Sequence, residues 1–340
     1  YLNENDFDKS KNVTSLDLNN ALNLLSYNLE NYDRFNFENK LWNIHINMNE
    51  SLNIFDNNFK DILNLGEAFD LLIEDNKDIL EEVQEEIHFT YGRLEKMFHN
   101  DMGVFIDSDF YNWNRAKSVL EFLYDIDIKP LIVIDNLTFT TEKYRNVLKS
   151  FIEYFSALDF SPIEHLKFQF SSTINKEIKN NLLDFLNSEF NFEILDNDFI
   201  IENTLNQIYD TSYMLPYIIH STIFKKDNLS FLRNFDVLEK ATNITNEVFI
   251  GAPGIVNDMG IRKPSYYAFY LLSKLADEIV SIDDGCIVTK SDDLCAILLY
   301  CHNNDMDSLA KYDTIYKNGI LKKSFKKKYS LNIANLKSYY

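Results

Sequence analysis

The sequence predicts an α/β fold, a single parallel barrel with a small β-module beside it, and three observations carry that expectation. From Asp61 onward, short apolar runs alternate with longer amphipathic segments, the rhythm of βαβ units. Some of the short runs are almost wholly apolar, as in Pro130–Asp135 (P-L-I-V-I-D), which suits strands covered on both faces. A chain of 340 residues, 46% hydrophobic, exceeds an ordinary single domain yet fits one barrel plus a module.

Residues 1–40 are rich in Asn and Asp and read as a tether, with one short helix predicted at Ser15–Tyr27. Lys40–Asn49 alternates with period two and predicts a strand with one buried face, leaving His45 on the polar side. Ile62–Leu65 is a compact apolar strand ending at Gly66, and Ile73–His88 is an amphipathic helix presenting Ile79, Leu80, Val83 and Ile87. Phe89–Arg93 is the next strand, Trp113–Tyr124 a helix and Pro130–Asp135 a strand. A helix at Thr141–Ala157, a strand at Leu166–Phe170 and a helix at Lys176–Glu189 continue the alternation. Phe199–Glu202 reads as one more strand, followed by a helix through Ser212–Phe224.

Phe249–Leu272 holds three of the eight glycines and two of the five prolines, so tight turns are crowded just before a helix starting near Pro264. Gly285–Thr289 and Leu294–Cys301 predict a hairpin around Asp292-Asp293, and Tyr329–Asn335 a later strand. The expected domains are therefore a tether at 1–40, a barrel at 61–280, and a β-sandwich from 41–60 and 281–340.

Composition excludes several functions. With 33 basic against 53 acidic residues the formal charge is −20, which repels a phosphate backbone or an anionic membrane surface. The one basic run, Lys322–Lys328, reads as a solvated connector. Three cysteines (Cys286, Cys295, Cys301) point to a reducing compartment rather than a disulfide framework, hence a cytoplasmic location. No histidine stands at metal-ligand spacing, no apolar run is long enough to cross a bilayer, and no glycine-rich nucleotide loop or G-x-S-x-G elbow occurs. The expectation is no cofactor, no metal and no membrane.

The segments L-N-L-G-E-A-F-D-L-L (Leu63–Leu72), F-T-Y-G-R-L-E-K-M-F-H-N-D-M (Phe89–Met102), W-N-R-A-K-S-V-L-E-F-L (Trp113–Leu123), I-K-P-L-I-V-I-D (Ile128–Asp135) and F-I-G-A-P-G-I-V-N-D-M-G-I-R-K-P-S-Y-Y-A-F-Y-L-L (Phe249–Leu272) stand in this order along the chain. Together they resemble glycoside hydrolase family 39, the β-xylosidase and iduronidase group. They are closer still to the version fused behind AraC-type DNA-binding domains in Gram-positive regulators. The resemblance implies a TIM-type (β/α) barrel from about Ile62 to Tyr300.

Family enzymes retain anomeric configuration, which requires two carboxyl groups about 5–5.5 Å apart. The family's acid/base Trp-Asn-Glu falls on Ser171, Ser172 and Thr173, and a threonine hydroxyl donates no proton near neutral pH. Glu177, four residues on, falls inside the following helix. The nucleophile position falls on Glu202, in F-I-I-E-N-T, where the family's next Trp is Asn203. Glu202 as an ion-pair partner of Arg93 is an equally good reading of the same residue. Arg93 matches the family arginine, but Glu95-Lys96 replaces the His-Gly that follows it, and Asp101-Met102 is kept as scaffolding. Asp135 and Asn136 end the third strand at the face where barrel sites form.

Fewer than thirty residues separate Thr173 from Glu202, whereas two βα units need about sixty. The barrel is accordingly expected to be degenerate, lacking one or two units. The resulting expectation is a pseudo-glycosidase, no enzyme. Its vestigial nucleophile would be Glu202, its lost acid/base Thr173, and its ligand pocket Arg93, Glu95, Asp135, Asn136 and Glu202. It would serve an AraC-type regulator as a dimerising or sugar-sensing domain, touching DNA only through helices fused N-terminal to Tyr1. The alternatives are an active family 39-like β-xylosidase or other retaining glycosidase, and a carbohydrate-binding module.

Overall fold

The computed structural model describes residues 41–107, 110–135, 137, 139–158, 163–190, 192–195, 205–225, 233–235, 248–302 and 328–335. The predicted helix at 15–27, the strand at 199–202, and Asn136 and Glu202 with it, lie outside them.

The chain divides into two units, 1–48 with 321–336, and 49–320 with 337–340. In the first, Leu41–Asn47 and Lys328–Ala334 pair in parallel, from Leu41 opposite Lys328 to Asn47 opposite Ala334. The period-two reading holds here: Ile44, Ile46 and Met48 are buried and His45 is exposed.

The second unit is built on a parallel sheet. Its strands are β1 (Ile62–Glu67), β2 (Tyr91–Glu95), β3 (Lys129–Ile134), β4 (Lys167–Phe170), β5 (Glu193–Leu195), β6 (Arg233–Phe235) and β7 (Gly254–Val256). They lie in the order β7-β6-β1-β2-β3-β4-β5, every pairing parallel. Among the described residues no pairing joins β5 to β7. The helices are α1 (Glu74–Ile87), α2 (Asn114–Asp125), α3 (Thr141–Ser156), α4 (Lys176–Glu189), α5 (Met214–His220) and α6 (Pro264–Ser273). Each of α1 to α4 links two successive strands, which is what a parallel ladder demands, because parallel neighbours cannot be joined by a tight turn.

Local chemistry sets the element ends. The Thr140 hydroxyl accepts from the Lys143 amide to open α3, and Asn175 Oδ1 accepts from the Glu177 amide to open α4. Pro264 occupies the first turn of α6, where its missing N–H costs nothing. Gln84, buried on α1, donates to the carbonyl of Phe89 and accepts from its amide, tying the helix to the turn before β2. Of the stripe read from sequence on α1, Leu80, Val83 and Ile87 are each at most 1% exposed and Ile79 is half-buried against them. The helix expected through 212–224 is shorter. A 3-10 turn at Gln207–Asp210 precedes α5, and a π-turn at Ser221–Lys225 follows it.

Two small antiparallel features complete this unit. Cys286–Lys290 and Cys295–Leu299 form the expected hairpin, and Glu278–Asp283 and Asn53–Ile54 extend it to four strands. Between β2 and α2, Phe105–Asp107 pairs with Phe110–Tyr111 in a short hairpin. No described helix is long and apolar enough to cross a membrane.

Candidate functional site

Side chains at the C-terminal ends of β1 to β4 form a continuous polar network above the apolar core. Arg93, 6% exposed on β2, donates through Nε to Gln169 Oε1 of β4 at 2.6 Å. Its Nη1 donates to Asn64 Oδ1 of β1 at 3.1 Å and meets Glu95 Oε1 at 2.6 Å. Burying a guanidinium is tolerable only with such dense pairing. Asn64 is fully buried, and its Nδ2 has no hydrogen-bond partner among the described residues.

The next residue outward, Lys96, adopts a left-handed backbone conformation (φ +57°). Lys96 stands where the family has glycine, a residue for which that conformation is free of strain. The turn aims its amide at Asp135 Oδ2, 2.8 Å away past the end of β3, while its Nζ reaches Glu67 Oε1 of β1 at 2.5 Å. Lys96 therefore joins three strand ends, and its bulk is carried as an ion pair. Burial holds the Asp135 carboxyl above the ordinary carboxylate range and the nearby Glu95 charge pushes the same way. The Lys96 amide, His99 and Arg93 pull it back. His99 Nε2 lies 3.7 Å from Asp135 Oδ2. The Tyr144 hydroxyl of α3 donates to the Asp135 carbonyl and accepts from the Leu137 amide, fixing the chain beyond β3.

Three carboxyl groups, Glu67, Glu95 and Asp135, thus stand on the ends of three neighbouring strands. Of the residues expected to form the pocket, Arg93, Glu95 and Asp135 come together. Asn136 and Glu202 lie outside the described residues. Thr173 is exposed, its Oγ1 2.9 Å from Ser171 Oγ, and Glu177 is exposed in the first turn of α4. Asn64, Glu67 and Gln169 were not singled out from sequence, and Lys96 was noted only as a replacement in the His-Gly pair. The signal was present in Asn64 and Gln169: each is one polar residue inside an apolar parallel strand, in L-N-L and F-Q-F.

Beside β7 a second polar cluster fastens the chain. Lys263, fully buried, places Nζ 2.6 Å from Asp210 Oδ1 and donates to the Ala252 carbonyl at 2.6 Å. Asp210 Oδ2 accepts from the Gly251 amide at 2.5 Å, and the Gly251 carbonyl accepts from the Asn206 amide at 2.7 Å. Gly251 has φ +75°, and a Cβ there would lie 2.7 Å from the Asn206 backbone. Glycine at position 251 is required by this contact. Among the described residues no group of three metal-ligating side chains occurs.

No protein-family model matches the chain and no curated protein matches its sequence. Solved structures do match its fold. A monomeric β-xylosidase from Caulobacter crescentus CB15 is 13% identical, with a TM-score of 0.65, and 78% of each chain is covered. A glycoside hydrolase family 39 β-xylosidase from Caulobacter crescentus is 15% identical (TM-score 0.63, covering 76% of this chain and 81% of that one). A family 39 enzyme from Xanthomonas axonopodis pv. citri is 12% identical (TM-score 0.66, covering 78% and 76%). The fold is that of family 39 glycosidases.

This likeness overturns the expectation that the chain is no enzyme. That expectation rested chiefly on Thr173 at the acid/base position, with the replaced His-Gly pair and the short interval before Glu202 beside it. Its structural neighbours are enzymes, and the sheet brings Glu67, Glu95 and Asp135 to the same mouth from other strands. A carboxyl missing from one strand end is therefore no measure of the acid groups that a barrel-type site assembles. The structures named above do not show the fused DNA-binding context.

Proposed function

We propose that this chain is a carbohydrate-active protein of the family 39 type, taking a β-xyloside-like glycoside at the mouth formed by β1 to β4 and hydrolysing it. The observation that carries this reading is the carboxyl cluster at the strand ends of a fold matched over 78% of the chain by a β-xylosidase. In this reading Asp135 handles the proton that Thr173 cannot, since its carboxyl is held toward the protonated form beside Glu95, which is paired with Arg93. Glu202 is the nucleophile by resemblance. Arg93 and Lys96 orient the acidic groups and place cationic charge among them.

The test is turnover of an aryl β-xyloside, together with calorimetric binding of methyl β-xyloside. Hydrolysis should vanish in Glu202→Gln, and kcat should fall about 10²–10⁴-fold in Asp135→Asn. Absence of both turnover and binding would overturn the reading.

A second reading extends the first. The segments shared with domains fused behind AraC-type readers, and a charge of −20 that keeps this chain off DNA, support a protein in which bound glycoside shifts a fused DNA-binding segment within a homodimer. Operator binding by the full-length protein should then change on adding xyloside, and its solution mass should be that of two chains. A monomer whose DNA affinity ignores the sugar would discard it.

A further inference from the structure

The turn that leaves β2 brings two of its residues to one oxygen atom. Lys96, at φ +57°, aims its amide at Asp135 Oδ2 from 2.8 Å, and His99 places Nε2 3.7 Å from the same Oδ2. Backbone bonds close this turn: the His99 amide donates to the Lys96 carbonyl and the Met102 amide to the His99 carbonyl, each at 3.1 Å. His99 Nε2 is buried, and among the described residues it has no hydrogen-bond partner. At 3.7 Å it stands beyond a hydrogen bond but within ion-pair reach, and a ring movement of about 1 Å makes the bond.

The other charged and titratable groups around the pair are already engaged. From β2 come Glu95 and Arg93, paired with each other at 2.6 Å, and β1 contributes Glu67, which takes the Lys96 ammonium. From α3 comes the Tyr144 phenol, whose pKa burial raises to about 12, and from β4 the neutral Gln169. Histidine is the side chain whose ordinary charge change falls between about pH 5 and 8.

We infer that His99 is the positioning residue of the acid carboxyl: its imidazole and the Lys96 amide hold Asp135 through Oδ2, leave Oδ1 to the glycosidic oxygen, and stabilise the carboxylate that remains once the proton has gone. The inference rests on the function proposed above and deepens it. In the step concerned the Oδ1–H bond breaks and the proton passes to the glycosidic oxygen. That oxygen keeps the electron pair of its bond to the anomeric carbon, and the carboxylate of Glu202, the nucleophile by resemblance, bonds to the carbon. Asp135 is left anionic, and an imidazolium beside it favours the charged form. The charge on His99 thereby limits how far up the pH scale Asp135 keeps its proton.

Two measurements on the whole chain test this. The first follows the His99 Cε1–H resonance by NMR against pH, assigned by its absence in His99→Gln. Its midpoint should fall by about one unit in Asp135→Asn, because the carboxylate that favours the imidazolium is gone. The second is the pH profile of kcat/KM for an aryl β-xyloside. A general acid must hold its proton, so the rate falls as pH rises through its titration. His99→Gln removes the cation, and the alkaline limb should move up by about one unit. The limb should stay put in His45→Gln, exposed on the strand Leu41–Asn47. His99 is partly exposed, so its variant should fold. An NMR midpoint unmoved by Asp135→Asn would overturn the pair, as would a rate loss in His99→Gln with the limb unmoved. A shifted midpoint in a chain that turns over no xyloside would support the pair and discard hydrolysis.

Discussion

Lys263→Met is the sharpest test of how the chain around β7 is held. Lys263 is fully buried and Asp210 nearly so, and the ammonium divides its contacts between the Asp210 carboxylate and the Ala252 carbonyl, each at 2.6 Å. Methionine matches the stem in length and removes the charge. The carboxylate is then left in the interior with the Gly251 amide, and the Ala252 carbonyl loses its donor. Removing one partner of a buried ion pair costs about 3–5 kcal/mol, because the charge that remains is uncompensated. For a chain of this size a urea m-value of about 3 kcal/mol/M turns that into a midpoint lower by about 1–1.7 M. The double variant Asp210→Asn/Lys263→Met removes both charges and should recover at least about 1–2 kcal/mol of the loss. Urea unfolding followed by far-UV circular dichroism on the three proteins gives all the numbers. A Lys263→Met midpoint within experimental error of the parent would refute the argument, as would strictly additive losses in the double variant.

Further outcomes follow from the same geometry. Gly251→Ala should destabilise by more than about 2 kcal/mol, because it forces a Cβ against the Asn206 backbone at positive φ; thermal unfolding would show it. Asp135 sits above its ordinary pKa in the folded protein, so the native state binds a proton more readily than the unfolded chain. Its contribution to stability is therefore full at low pH and is lost as pH rises from 3.8 through the raised value. Asp135→Asn should abolish that part of the pH dependence, read as the difference between urea titrations at about pH 4 and 7. Tyr144→Phe should cost about 1 kcal/mol by releasing the Asp135 carbonyl and the Leu137 amide, and should lower any glycosidase activity through a looser Asp135. It should also remove the phenol whose pKa burial raises to about 12, visible as one fewer late-titrating tyrosine in an alkaline absorbance titration.

Much of the scaffold could be read from the residues, because its helices bury one stripe and its inner strands bury both faces. Lys176–Glu189 and Thr141–Ala157 needed only the alternation of strand and helix, and in the structure Asn175 and Thr140 cap them. What escaped notice was short or made of contacts. Glu193–Leu195 has three residues, too few to show a period, and the hairpin at Phe105–Tyr111 is legible only once its strands are paired. At the site, Arg93, Glu95 and Asp135 were found because a family arginine and two strand ends point to them. Lys96 was read only as a departure from the family's His-Gly, since nothing in a one-letter string says that a lysine takes a left-handed turn and extends to Glu67. The step from Thr173 to a lost activity failed for a related reason. It followed one strand, and a site shared by four strands is not recorded in any one of them.

The ladder between Leu41–Asn47 and Lys328–Ala334 carries a consequence for how the polypeptide matures. Its two strands lie far apart along the chain, so the first must wait for the whole intervening segment to be translated before its partner exists. Closing so wide a gap carries an entropic penalty that grows only logarithmically, which makes the union affordable but late. Until they pair, both strands keep an open edge, and protection of the ladder's amides should be the last property a refolding sample regains.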